Sequence, residues 1–162
     1  MTESLSADDA VSICIQVEKN GLAFYRAAAK AADRAGMRAL FEELAGMEED
    51  HAGLFEQIRK DLKARKDGAL DSRDKDLPLA LKSAADSHVF VKGLDGAAAA
   101  KKCRTTRDLL EMALRFEKDS VVYFAALHSL VPAGLGGKDI SVLVTEELKH
   151  ITVLNDKIKE IY

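Results

Sequence analysis

Leu44-Ala45-Gly46-Met47-Glu48-Glu49-Asp50-His51 and Leu143-Val144-Thr145-Glu146-Glu147-Leu148-Lys149-His150 carry the same leucine and the same Glu-x-x-His at a constant offset of 99 positions. The register extends upstream without a gap. Val17-Glu18-Lys19-Asn20 falls on Phe116-Glu117-Lys118-Asp119, and Phe24-Tyr25 falls on Tyr123-Phe124. A repeat of this kind makes each half one supersecondary unit, so the halves are read together. Each supplies one Glu from a first segment and one Glu-x-x-His from a second.

Hydrophobic spacing assigns all four segments to helices. Val11, Cys14, Ile15, Leu22, Tyr25 and Ala29 recur at helical period over residues 6–33, and Ser6 followed by Asp9 is an N-terminal capping signal. Gly21 interrupts this helix, which points to close packing at that position. A second helix is expected over 37–64, with Leu40, Leu44, Met47, Leu54 and Ile58 inward, a third over 105–130 behind the pair Thr105 and Asp108, and a fourth over 139–161. The basic run Arg59, Lys60, Lys63, Arg65 and Lys66 reads as a solvated face that complements the helix dipole. Between the second and third helices lies a crossover of about 65–104, with one short helix expected over 79–91 and loop or weak helix over 93–101. Short turns within each pair and a long crossover between pairs describe an all-α four-helix bundle, two hairpins joined so that the middle helices run parallel. The chain, 1–162, is read as a single domain.

Residues three apart on a helix share a face, so Glu48 can meet His51 and Glu147 can meet His150. Glu18 sits among Ile15, Leu22 and Tyr25, and Glu117 among Leu114, Val121 and Phe124, which turns both inward. Four carboxylates converging in a core cannot remain unpaired. A pair of cations resolves the cost, and carboxylate with some imidazole suits iron or manganese, with zinc also possible. The candidate metal ligands are therefore Glu18, Glu48, His51, Glu117, Glu147 and His150. Exposed Glu and His at helical spacing would give only weak surface pairs; the equal spacing to a further inward Glu in both halves favours the metal site.

Other residues are weighed beside these. Tyr25, two turns after Glu18, is placed to hydrogen-bond a ligand carboxylate or act as a local electron donor, or else to fill the core. Tyr123 is read as packing, Glu49 and Asp50 as surface, and Glu146 as an alternative ligand whose repeat partner is Met47. His88 and His128 have no Glu three positions before them and are set aside. Cys14 reads as a small buried group, and Cys14 with Cys103 could make at most one disulfide.

Composition narrows the class. Lys plus Arg number 24 against 27 Asp plus Glu, a formal charge of −3, which excludes nucleic-acid binding driven by a basic excess. No window approaches the ~18 apolar residues of a membrane span, and the acidic N-terminal stretch lacks a signal-peptide pattern. With two cysteines and no Cys-x-x-Cys, a reducing cytoplasmic location is expected.

At Val17-Glu18-Lys19, Phe24-Tyr25, 44–51, Leu114-Arg115-Phe116-Glu117-Lys118-Asp119-Ser120 and 146–150, the sequence resembles the rubrerythrin family of the ferritin-like superfamily. The resemblance covers the four long helices. It implies a ferritin-like bundle with a non-haem di-iron centre, Glu48 and Glu147 as bridging or chelating carboxylates beside the histidines, and Glu18 and Glu117 as the remaining carboxylates. It also implies a homodimer. Rubrerythrins proper carry a rubredoxin-like iron domain with four paired cysteines, which this sequence does not show. They also have an extra Glu, tied to iron movement during peroxide reduction, one turn after the third-helix ligand. That position is Ser120 here. The resemblance is thus to stand-alone rubrerythrin-like proteins. The expected function is reduction of hydrogen peroxide or dioxygen with electrons from a separate donor. The alternatives are ferroxidase or iron handling on Fe(II), and a metal-stabilised helical binding module without catalysis.

Overall fold

The computed structural model describes residues 6–64, 77–87, 95–131 and 136–161. They form six helices: α1 (Ala7–Ala31), α2 (Ala35–Ala64), α3 (Leu77–Ser87), α4 (Gly96–Lys102), α5 (Thr106–His128) and α6 (Gly137–Glu160). No strand occurs among the described residues.

Two of the helix starts are written in local chemistry. Asp9 N–H donates to Ser6 Oγ at 3.1 Å while the Ser6 N–H donates back to Asp9 Oδ2 at 3.2 Å. Thr105 and Asp108 repeat the arrangement at 3.1 and 2.9 Å. Each reciprocal pair satisfies two backbone donors that a helix start leaves orphaned. Helix α6 begins differently. Its cap is Gly136 at φ 104°, a left-handed conformation, and a Cβ there would stand 2.8 Å from Ile58 Cγ1. Both the backbone and the space therefore call for glycine.

Side-chain pairs fix the direction of every long helix. Asp8 pairs with Arg59, Lys19 with Glu56 and Arg26 with Glu49, so α1 and α2 are antiparallel. The Tyr123 hydroxyl donates to the Ala10 carbonyl at 3.1 Å, and Tyr25 reaches Glu117, so α5 also runs against α1. His51 meets Glu146 and His150 meets Met47, which sets α6 against α2. Helices α2 and α5 are therefore parallel, as a long crossover requires. Arg59 and Lys63 both hold Asp8, so part of the basic run is tied to α1 rather than merely solvated. Arg65 and Lys66 lie outside the described residues.

The crossover differs from expectation in holding two short helices where one was expected. Helix α3 packs on α5, and α4, which was read as loop or weak helix, lies along α1. Asp95 caps α4 by accepting from Ala97 N–H at 3.0 Å. A Cβ on Gly96 would fall 1.8 Å from the Asn20 carbonyl oxygen, so the backbones of α4 and α1 touch directly. The core is aromatic. Phe24, Tyr25, Phe41, Phe55, Phe116, Tyr123 and Phe124 are fully buried. Cys14 is buried and both cysteines are free.

Candidate metal centre

Each candidate ligand is carried by one of the four long helices: Glu18 by α1, Glu48 and His51 by α2, Glu117 by α5, Glu147 and His150 by α6. All six face the interior. Glu18, Glu48 and Glu117 are 0% exposed, Glu147 is 1%, and the two histidines are 4%. The inward phase inferred from apolar neighbours holds for Glu18 and Glu117, and the two Glu-x-x-His pairs also face inward.

The donor atoms form two overlapping groups of four. Glu18, Glu48, His51 and Glu147 make one, and Glu48, Glu117, Glu147 and His150 make the other; within each, the ligand atoms lie within 4.8 Å of one another. Glu48 and Glu147 belong to both. Glu18 with His51, and Glu117 with His150, each belong to one. The repeat seen in the sequence is therefore a pseudo-twofold relation between two half-sites that share two carboxylates.

The histidines turn Nδ1 inward. His51 Nδ1 stands 3.0 Å from Glu147 Oε1 and 3.8 Å from Glu18 Oε2. His150 Nδ1 stands 3.0 Å from Glu147 Oε2 and 3.5 Å from Glu117 Oε2. The two rings stack at 5.8 Å between centroids and 15° between planes. The outward nitrogens have different neighbours. His51 Nε2 faces Glu146 Oε2 at 3.0 Å, and His150 Nε2 faces Met47 Sδ at 3.0 Å.

Seven buried donor or acceptor atoms among the described residues make no hydrogen bond, and all belong to this cluster: both oxygens of Glu18 and of Glu48, His51 Nδ1, Glu117 Oε2 and Glu147 Oε1. His51 Nδ1 and Glu147 Oε1 are close yet not aligned for a hydrogen bond, as lone pairs aimed at a common point would be. Orphaned buried acceptors at this density are very costly in a bare protein. Oxygen-rich donors with one imidazole per half-site fit a pair of cations of the iron or manganese kind.

The electrostatics agree. Burial, with the charges of Glu147 and Glu117 added, pushes the Glu18 carboxyl well above the usual range. Burial and the neighbouring Glu18 and Glu147 do the same to Glu48, and burial with Glu147 does it to Glu117. Glu147 goes the other way. Burial opposes its charge, but its contacts with Glu117, His150 and His51 outweigh burial and hold it low. Burial likewise opposes charge on His150, yet Glu117 and Glu147 push it up to about 11. Without cations, the cluster keeps protons that ligands must give up.

Tyr25 both hydrogen-bonds a candidate ligand and packs in the core. Its hydroxyl donates to Glu117 Oε1, and its ring packs against Phe24, Phe41 and Phe116. Burial and the nearby carboxylates raise its phenol well above the usual value. Glu146, considered as an alternative ligand, lies outside both groups of four. Met47, placed in the core by periodicity, is 38% exposed. Met47 is thus the neighbour that periodicity misplaced; the 99-residue register pairs it with Glu146, and the two stand beside the two histidines. Ser120 is buried within α5. His128 is exposed at the end of α5, and His88 lies outside the described residues. A cleft of about 450 Å³ between α2 and α6, lined in part by Met47, His51, Glu146 and His150, opens onto the imidazole side of the cluster.

No curated protein matches the sequence. A solved structure from Thermotoga maritima, described as a ferritin-like diiron-carboxylate protein, superposes with a TM-score of 0.69 over 100% of both chains at 19% identity. That likeness speaks for the fold: an all-α ferritin-like bundle. The rubrerythrin family model matches residues 9–102, which span α1 to α4 and include Glu18, Glu48 and His51. With that match over more than half of its length, and a ferritin-like fold throughout, the chain belongs to the rubrerythrin family.

Proposed function

We propose that this protein holds two iron ions between Glu18, Glu48, His51, Glu117, Glu147 and His150, and uses them to reduce hydrogen peroxide or dioxygen with electrons from a separate donor. The observation that carries the reading is the set of orphaned buried donors confined to two overlapping groups of four. Glu48 and Glu147, members of both groups, are the shared carboxylates; Glu18 with His51 and Glu117 with His150 complete the two ends. Two Fe(II) ions bound there would supply the two electrons that take peroxide to water or dioxygen to peroxide, and the separate donor would restore them. The protein's own part is to orient and to exclude. Tyr25 fixes one oxygen of Glu117 through its hydroxyl. The buried aromatic side chains keep bulk water from the carboxylate side. The cleft between α2 and α6 is the route by which a small oxidant reaches the site. We assign the chain a homodimeric state, on family resemblance, and light scattering at the mass of one chain would contradict it.

Ferroxidase chemistry on Fe(II) uses the same residues and is the second reading. The open cleft favours it, since it admits exchange of ions as well as of oxidant. Anaerobic loading with Fe(II), followed by rapid mixing with peroxide or with air-saturated buffer, separates the two. The proposal expects peroxide to oxidise the bound iron, which then stays bound and can be reduced again. Release of ferric iron as a mineral, with turnover of added Fe(II), would favour iron handling. No oxidation by either reagent would contradict both.

A further inference from the structure

The pseudo-twofold relation between the half-sites fails at two places, and the first of them sets the order of affinity. The first is outside the imidazoles. His51 Nε2 has the carboxylate of Glu146 at 3.0 Å, whereas the register-equivalent residue beside His150 Nε2 is Met47, its thioether sulfur at 3.0 Å. A carboxylate is a strong acceptor for the outer N–H of a ligating imidazole and raises the basicity of the inner nitrogen; a thioether is a weak acceptor and does so little.

The second failure is at the unshared carboxylates. Glu117 Oε1 accepts the Tyr25 hydroxyl. The register equivalent of Tyr25 is Phe124, which has no hydroxyl to offer Glu18. The neighbouring Tyr123 sends its hydroxyl to the Ala10 carbonyl instead. Glu18 thus has no tyrosine hydroxyl on it, and its neighbour in the cluster is Glu48. A hydroxyl on one oxygen of a ligating carboxylate orients it and leaves the other, here Glu117 Oε2, free.

Building on the di-iron reading above, we infer that the two half-sites are unequal because of the outer neighbours of their imidazoles: the Glu18–His51 end binds its ion more tightly and fills first, with Glu146 as the positioning residue that sets the difference. The Glu117–His150 end is the weaker, exchangeable one.

Anaerobic titration of the metal-free protein with Fe(II), followed by calorimetry, reads the two constants separately. Outer-sphere partners of metal-ligating histidines are worth about 10–100-fold in affinity. The wild type is expected to bind two equivalents in two steps at least about tenfold apart. Its Mössbauer spectrum with enriched iron should show one environment at one equivalent and two at two equivalents. Glu146→Met, which makes the outer neighbours of the two imidazoles alike, should weaken the tight step by about 10–100-fold and leave the weak step in place, while Met47→Glu should strengthen the weak step by a similar factor. Glu146→Gln, which retains an acceptor without charge, should fall between. Tyr25→Phe, at the other end of the cluster, should leave the tight step unchanged. Two equivalents bound with equal constants would overturn this inference and leave the di-iron reading standing. So would a Glu146→Met effect that is absent or equal on both steps. No binding of Fe(II) at all would overturn the di-iron reading and the inference with it.

Discussion

Glu48 has room for its carboxylate because residue 21 carries no side chain. A Cβ on Gly21 would lie 2.6 Å from Glu48 Oε2 and 2.5 Å from Phe116 Cζ. Phe116 is fully buried and has nowhere to retreat. Gly21→Ala should therefore lower stability by about 1–3 kcal/mol, despite the better helix propensity of alanine, because overpacking outweighs it. It should also lower the iron retained after desalting, and an unchanged urea midpoint with full iron content would contradict this. The carboxylates themselves allow a cleaner contrast. Glu48→Ala or Glu147→Ala should strip most of the bound metal, whereas Glu49→Ala should not, since Glu49 is exposed and paired with Arg26 at the surface. Equal metal content in all three variants would sink the ligand assignment.

At the scale of the helices, two glycines should behave oppositely to Gly21. Gly46 and Gly53 lie exposed within α2, and a Cβ on either would meet nothing within 4 Å. Alanine at each should stabilise by about 0.5–1 kcal/mol, read from denaturant midpoints, because it reduces the backbone entropy lost on folding. Destabilisation at either would mean that α2 carries a partner at that face. The same scale shows what could be read in advance. Capping pairs such as Ser6 with Asp9 and Thr105 with Asp108 are local, so the starts of α1 and α5 were legible to a residue. The start of α6 was not, because it depends on a positive φ at Gly136 and on Ile58 from a distant helix. Helix α4 was hidden for a similar reason. Its stability comes from backbone contact between Gly96 and α1, which no period in an alanine run reveals. The inward phase of Glu18 and Glu117 was legible from apolar neighbours one turn away, and the shared face of each Glu-x-x-His pair from its spacing. The outward side of the histidines was not. Met47 has an apolar side chain at a core-like phase, but α2 and α6 separate there into a cleft, so it ends partly exposed.

For the whole molecule, the buried charges link stability to pH and to metal. In the metal-free protein Glu18, Glu48 and Glu117 have raised folded-state values, and His150 is raised to about 11. The folded state then holds more protons than the unfolded chain at neutral pH. The stability these groups contribute is present below their unfolded values and is lost as pH climbs through the folded ones. Glu147, held low, contributes the opposite dependence, but only in acid, where the unfolded carboxyl takes up its proton. Between about pH 5 and 8 the metal-free protein should lose up to about 1.4 kcal/mol per pH unit for each extra proton held. Cations reverse the balance by displacing those protons. The gap in Tm between iron-loaded and chelator-treated protein should therefore widen as pH rises through this window, and a gap that stays constant or narrows would contradict the buried-cluster account. The central claim is tested most directly by counting bound metal per chain, by elemental analysis after anaerobic loading with Fe(II) and desalting. About two irons per chain is the prediction; close to zero iron, with zinc and manganese also absent, would contradict it.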